Sequence, residues 1–142
     1  YQMLPSSLCI HFVAKGWSEI AFHEPAGAGK LSRASIGNTL TGDLTGDGVL
    51  EYLLSYPRKA GGDVAFMGYE RITGKIAEYE GSFVLRHDGL FSSTAGVSGT
   101  LSIEPDSGTG DFSGWSGRGK IQAKAGEHGG IYALQLSQTH TE

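Results

Sequence analysis

Thr109-Gly110-Asp111-Phe112-Ser113-Gly114 has two near copies in this chain, Thr41-Gly42-Asp43-Leu44-Thr45-Gly46 and Thr73-Gly74-Lys75-Ile76-Ala77. Each is a Thr-Gly pair, a charged residue, an apolar residue and a small residue, with a further glycine close behind at Gly117, Gly48 or Gly81. A charged residue beside an apolar one is one step of strand alternation. The glycines around it let the backbone bend or bulge. The phrase reads as a corner of a strongly curved antiparallel sheet. It cradles no phosphate, because the segments it joins read as strands and no helix N-terminus follows it.

Outward from these corners, period-2 alternation runs along almost the whole chain, and helical periodicity is nearly absent. Strands are predicted over residues 9–22, 33–40, 49–56, 64–72, 82–91, 95–103, 112–123 and 131–136. Between them lie turn-rich segments such as His23-Glu24-Pro25-Ala26-Gly27, Lys59-Ala60-Gly61-Gly62-Asp63 and Glu104-Pro105-Asp106-Ser107-Gly108. Asp88-Gly89 fits either a hairpin turn or a bulge in a continuing strand. The expected fold is all-β: a single up-and-down antiparallel β-barrel of about eight strands, lipocalin-like in shape, with a two-sheet sandwich as the alternative. Closure removes both sheet edges, and strand glycines at Gly68, Gly99, Gly117 and Gly119 allow the coiling it needs.

The composition agrees. A chain of 142 residues reads as one domain, 1–142, with 1–6 and 138–142 expected to fray. Glycine is abundant, 23 residues against 4 prolines, but interspersed with Val, Ile, Leu, Phe and Tyr, which argues for turns rather than disorder. A net charge of -4 with scattered Lys and Arg disfavours nucleic acid as a partner. Cys9 is alone, so no intramolecular disulfide is expected. Neither a long apolar span nor a secretory leader is visible, so the expectation is a cytoplasmic protein without a membrane partner.

No motif names a reaction. The chain has no His-x-His, Cys-x-x-Cys, Walker loop or Gly-x-Ser-x-Gly. Asp43, Asp47, Asp106 and Asp111 lie near glycines, but their spacing fits no EF-hand and turns use Asp for local hydrogen bonds. His128 beside Glu127 lacks the further ligands a zinc site requires. Neither a metal nor a cofactor is expected. More pointed is the company that polar residues keep. Glu70 alternates with Val64, Phe66 and Ile72, and His87 with Phe83 and Leu85. If those faces point inward, a carboxylate and an imidazole share an apolar interior. There they form either a satisfied structural pair or an acid and a base for proton transfer. Glu51 shares a face with Val49 and Leu53, while Tyr52 and Tyr56 share the other with Leu50 and Leu54. Which face is interior stays open. Candidate ligand-binding residues are Trp17, Glu51, Tyr52, Tyr56, Phe66, Phe83 and Leu85, with Trp17 read first as a barrel plug. Met67 and Tyr69 are assigned to an outer face, and with Trp115 they point to a homo-oligomer.

Ser107-Gly108-Thr109-Gly110-Asp111-Phe112-Ser113-Gly114-Trp115-Ser116-Gly117-Arg118-Gly119 resembles the glycine signature of plant allene oxide cyclases and dirigent proteins. Trp17-Ser18-Glu19, Leu31-Ser32-Arg33-Ala34-Ser35, Gly68-Tyr69-Glu70-Arg71-Ile72-Thr73-Gly74, Gly81-Ser82-Phe83-Val84-Leu85-Arg86-His87 and Gly126-Glu127-His128-Gly129-Gly130 extend the match. With these pieces most of the chain resembles the bacterial domain-of-unknown-function family 3224, grouped with those barrels. The resemblance implies a small antiparallel barrel, often oligomeric, with an apolar cavity. No catalytic residue of the plant cyclases aligns here. The functional expectation is a barrel that binds a small apolar or amphipathic molecule. The alternatives are a cofactor-free isomerase, cyclase or hydratase using Glu70 and His87, and a structural oligomer without a ligand.

Overall fold

In the computed structural model, residues 5–138 are described. Nine strands follow one another: β1 (Ser7–His23), β2 (Lys30–Gly42), β3 (Thr45–Tyr56), β4 (Val64–Ile76), β5 (Tyr79–Ser92), β6 (Gly96–Ile103), the two-residue β7 (Thr109–Gly110), β8 (Trp115–Ala123) and β9 (Gly129–Gln138). Among the described residues there is no helix. Each long strand pairs antiparallel with the next, and β9 returns to β1, with Ile10 opposite Tyr132. The result is a closed barrel of eight strands, with β7 appended to the start of β5. Asp88-Gly89 is no turn: β5 runs straight through it, pairing with β4 on one side and β6 on the other. Of the ends expected to fray, residues 1–4 and 139–142 lie outside the described residues.

Alternation sets the inner face of every strand. On β3 it is Gly48, Leu50, Tyr52 and Leu54 that turn inward, which leaves Val49, Glu51 and Leu53 outside. On β4 the inner residues are Val64, Phe66, Gly68, Glu70 and Ile72, and on β5 they are Phe83, Leu85 and His87. Met67 and Tyr69 stand on the outer face, about half exposed.

All three copies of the opening phrase lie at one end of the barrel. The apolar residue of each, Leu44, Ile76 or Phe112, drops into the core and is almost completely buried. Phe112 was expected to begin a strand; it lies in the turn before β8 and caps the interior. Its ring packs 5.7 Å from Phe83 and 4.4 Å from Trp115, centroid to centroid. Trp115, expected at a contact between copies, is core.

Two of the copies share a further device. The Asp43 backbone N–H donates to the Cys9 carbonyl, and the Cys9 N–H donates back to Asp43 Oδ2 at 2.7 Å. Asp111 does the same with Glu80, its Oδ2 accepting from the Glu80 N–H at 2.9 Å. The preceding glycines, Gly42 and Gly110, take φ of 89° and 60°, where glycine is least strained. These aspartates thus reach across to another strand rather than bonding locally. The middle copy carries Lys75 in place of Asp, and its positive φ falls on Ala77.

Candidate functional site

The opposite end is open. At this end, where the chain turns after β1, β3, β5 and β8, lies a cavity of about 610 Å³, and of these loops the one after β8 lines it. Its walls are mostly apolar, with Leu54, Val64, Phe66, Phe91 and Val97 among them. Small residues leave the space: Ala14, Gly16, Ala123 and Gly129 also line it. Asn38, Tyr52 and Tyr132 belong to its deep wall, and Glu127 and His128 come from the loop between β8 and β9.

Directly behind that deep wall a polar layer crosses the barrel at mid-height. Glu70 and His87 are completely buried. His87 Nε2 lies 2.9 Å from Glu70 Oε1, and the Tyr132 hydroxyl donates to the same oxygen at 2.7 Å. Asn38 Nδ2 donates to Glu70 Oε2 at 2.8 Å, with the Tyr132 hydroxyl oxygen 3.3 Å away. On the other side of the imidazole, Nδ1 lies 2.8 Å from the Tyr52 hydroxyl. The sheet register makes this possible. Tyr52, Gly68 and His87 sit in one row across β3, β4 and β5, and the missing side chain at Gly68 lets the outer two meet. Gly48 plays the matching part for Glu70: a Cβ there would run into Oε2 of the carboxylate.

Electrostatics follow from burial. The Tyr52 and Tyr132 phenols are held far above their ordinary value, first by loss of water and then by the negative charge of Glu70. Both remain protonated at any physiological pH.

At the mouth, a second group gathers around Glu19. Its Oε2 accepts from Ser32 Oγ and from the Tyr56 hydroxyl, each at 2.6 Å, and Oε1 accepts from Trp17 Nε1 at 3.2 Å. Partial burial pushes the Glu19 carboxyl upward, but the three donors and nearby Lys30 outweigh it and leave it below 4.5. Tyr56 is pushed up to about 12, by burial first and then by its bond to Glu19. The Lys30 ammonium sits 4.3 Å from the centre of the Tyr56 ring.

The candidate residues therefore separate into groups. Tyr52, Tyr56 and Phe66 line the cavity. Trp17 does too, but it is no plug: the register shift between Lys15 and Ser18 re-aims β1, and the indole stands half exposed at the mouth, 6.4 Å from Tyr52. Phe83 and Leu85 are fully buried in the closed half and do not line the cavity. Glu51 lies on the outer surface, where it pairs with Arg33 at 3.1 Å and accepts from Ser35, because its neighbour Tyr52 takes the inward position. Glu70 and His87 meet as expected, yet one layer behind the cavity wall. Asn38, Tyr132 and Glu19 were not among the candidates. Asn38 and Tyr132 were readable from parity, since Asn38 alternates with Ala34, Ile36 and Leu40, and Tyr132 with Leu134 and Leu136. Among the described residues no cluster of three or more His, Cys, Asp or Glu side chains is arranged to hold a metal.

Comparison with known proteins places this geometry. A crystal structure of a protein with unknown function from the DUF3224 family of Shewanella oneidensis MR-1 shares the fold, with a TM-score of 0.78. The two are 24% identical, over 94% of this chain and 98% of that one. No curated protein matches the chain. Residues 10–136 match the family model described as "Protein of unknown function (DUF3224)", nearly the whole barrel from β1 to β9, and the chain belongs to that family.

Proposed function

We propose that this barrel binds a small, largely apolar or amphipathic molecule in the cavity at its open end. The observation that carries the reading is the cavity itself: about 610 Å³, within the ~300–1,000 Å³ span of small-molecule sites. Its apolar walls end on a few polar groups, the usual division of labour between affinity and orientation. A barrel of eight strands has the choice of filling its interior with side chains or leaving room for one ligand. Here the closed half takes the first course and the open half the second.

Catalysis by Glu70 and His87 is the weaker version. Neither lines the cavity, so a proton would have to pass through one of the wall phenols, Tyr52 bonded to His87 or Tyr132 bonded to Glu70. A phenol held so far above its ordinary value by burial is a poor acid, and its phenolate is not populated to serve as a base. The polar layer therefore reads first as a rigid support for the cavity floor.

The test is a titration with Nile red, a neutral apolar dye, followed by its fluorescence. The wild-type barrel is expected to bind it at micromolar concentration. Ala14→Trp, which fills the cavity from its wall, is expected to abolish binding while keeping the fold by circular dichroism. A folded Ala14→Trp variant that binds the dye as the wild type does would overturn the reading, as would a wild type that does not bind it at all.

A further inference from the structure

We propose that the outer face of β2 to β5 is a homodimer interface, on which two copies of this chain pack sheet against sheet about a two-fold axis that runs along the strands between β3 and β4.

The exterior of the barrel is not uniform. β6 turns Ser98 and Thr100 outward, and β8 turns out Arg118, Lys120 and Gln122. Among the described residues neither strand exposes a large apolar side chain. On β2 to β5 the outer face carries Leu31, Val49, Leu53, Met67, Tyr69 and Leu90, each between 39% and 70% exposed. None of the six lines the cavity. Register gathers them into one patch: Leu53 stands directly beside Met67, with Val49 and Tyr69 two residues along their strands. A contiguous apolar patch with charged residues around it marks a contact surface.

The order of those residues selects a second copy as the occupant. Read across β2, β3, β4 and β5, one row is Arg33, Leu53, Met67, Asp88. The next is Ser35, Glu51, Tyr69, Arg86. A two-fold axis along the strands between β3 and β4 lays each row over its own reverse, as a self-complementary contact requires. Arg33 of one protomer then faces Asp88 of the other, and Leu53 faces Met67. Arg86 comes over Ser35, beside Glu51. The row Leu31, Ser55, Ala65, Leu90 sets Leu31 against Leu90, and Val49 is covered by the methylene stem of Arg71. Symmetry makes every one of these contacts twice. The charges are free to serve: Asp88 forms no ion pair among the described residues, and Arg33 bonds Glu51 through Nε. Such an axis also keeps the strands of the two sheets aligned, the arrangement twisted sheets adopt when packed about 10 Å apart. Four strands by four outward rows make a patch of roughly 500 Å² in projection, short of the ~800 Å² per partner of a standard interface. The dimer is therefore expected to dissociate in the micromolar range.

Sedimentation equilibrium of the 15.0 kDa chain from about 1 to about 200 μM reads the association directly. The wild type is expected to pass from monomer to dimer over that range. Arg33→Asp and Asp88→Arg each set like charges together twice and are expected to weaken the dimer at least tenfold, with folding checked by circular dichroism. Combining both changes in one chain is expected to restore it. An equimolar mixture of the two single variants is expected to associate more tightly than either alone, because each then supplies the charge the other lacks. A wild type that stays monomeric throughout would overturn the proposal and leave the face to a different partner. Single variants that dimerise as the wild type does would place the contact elsewhere. If the single variants are weakened and neither the double variant nor the mixture recovers, the two-fold pairing is wrong. Leu53→Glu, an exposed position at the centre of the patch, gives a check free of the charge pairs: a folded variant that still dimerises as the wild type does would also overturn the assignment.

Discussion

Toward the end closed by Leu44, Ile76 and Phe112 the interior is filled by its own side chains; toward the end ringed by Trp17, Tyr56 and His128 the same strands enclose about 610 Å³ of space. The same eight long strands build both halves, since each passes through both. What differs is where the sequence spends large residues. Closed-half positions carry Phe83 and Trp115, each packed against Phe112, while open-half positions include Ala14, Gly16, Ala123 and Gly129. The buried layer of Glu70, His87, Asn38, Tyr52 and Tyr132 marks the frontier. Burying so many polar groups is costly unless nearly every one is paired, and here a single amide oxygen is left over. The comparison assigns stability to one half and, on the function proposed above, ligand recognition to the other, with the polar layer between them.

The division is broken most directly at Phe112. Phe112→Ala removes a fully buried ring from the closed end and is expected to cost about 3–5 kcal/mol in urea denaturation. Ala14→Trp enters space that is already open and is expected to cost under about 1 kcal/mol. Equal losses for the two would mean that the open half is as tightly packed as the closed one.

Much of this was legible in the chain. Strand parity alone put Glu70 with Phe66 and His87 with Phe83, and both pairs do face inward. Parity could not say which face of β3 was interior, because Val49-Glu51-Leu53 and Leu50-Tyr52-Leu54 are both largely apolar. That ambiguity put Glu51 among the cavity candidates. Nor could it say how deep a residue lies along the barrel axis. Phe83 and Leu85 share a face with His87 but do not line the cavity; Leu85 stands opposite Glu70 and Phe83 opposite Ile72, and that depth is fixed by register between strands. Trp17 was misjudged for a local reason, a shift of register in mid-strand that sequence does not announce.

The opening phrase supplies a smaller test of the closed end. Asp111 clasps the Glu80 backbone through a charge-assisted bond, and the equivalent position of the middle copy, Lys75, makes no such clasp. Asp111→Ala is expected to cost about 1 kcal/mol, and Lys75→Ala to stay within about 0.5 kcal/mol of the wild type, by the same denaturation. Indistinguishable stabilities would reduce the clasp to a coincidence of turn geometry.

The smallest effect belongs to the mouth. Glu19 has its folded value below the ordinary 4.5, so the folded state favours its ionised form. The stability it contributes is therefore fully present above about pH 4.5 and is lost as the pH falls through the lower folded value. Because the side chain is only partly buried and solvent screens its charge, that contribution is expected to be under about 1 kcal/mol. Comparing wild type with Glu19→Gln from pH 6 down to pH 3 isolates it: the gap between the two should narrow as the acid is titrated. A gap that stays constant across that range would mean that the bonds from Ser32, Tyr56 and Trp17 do not depend on the charge they converge on. The mouth would then be held by packing, as the closed end is, and the contrast between the two ends would rest on the cavity alone.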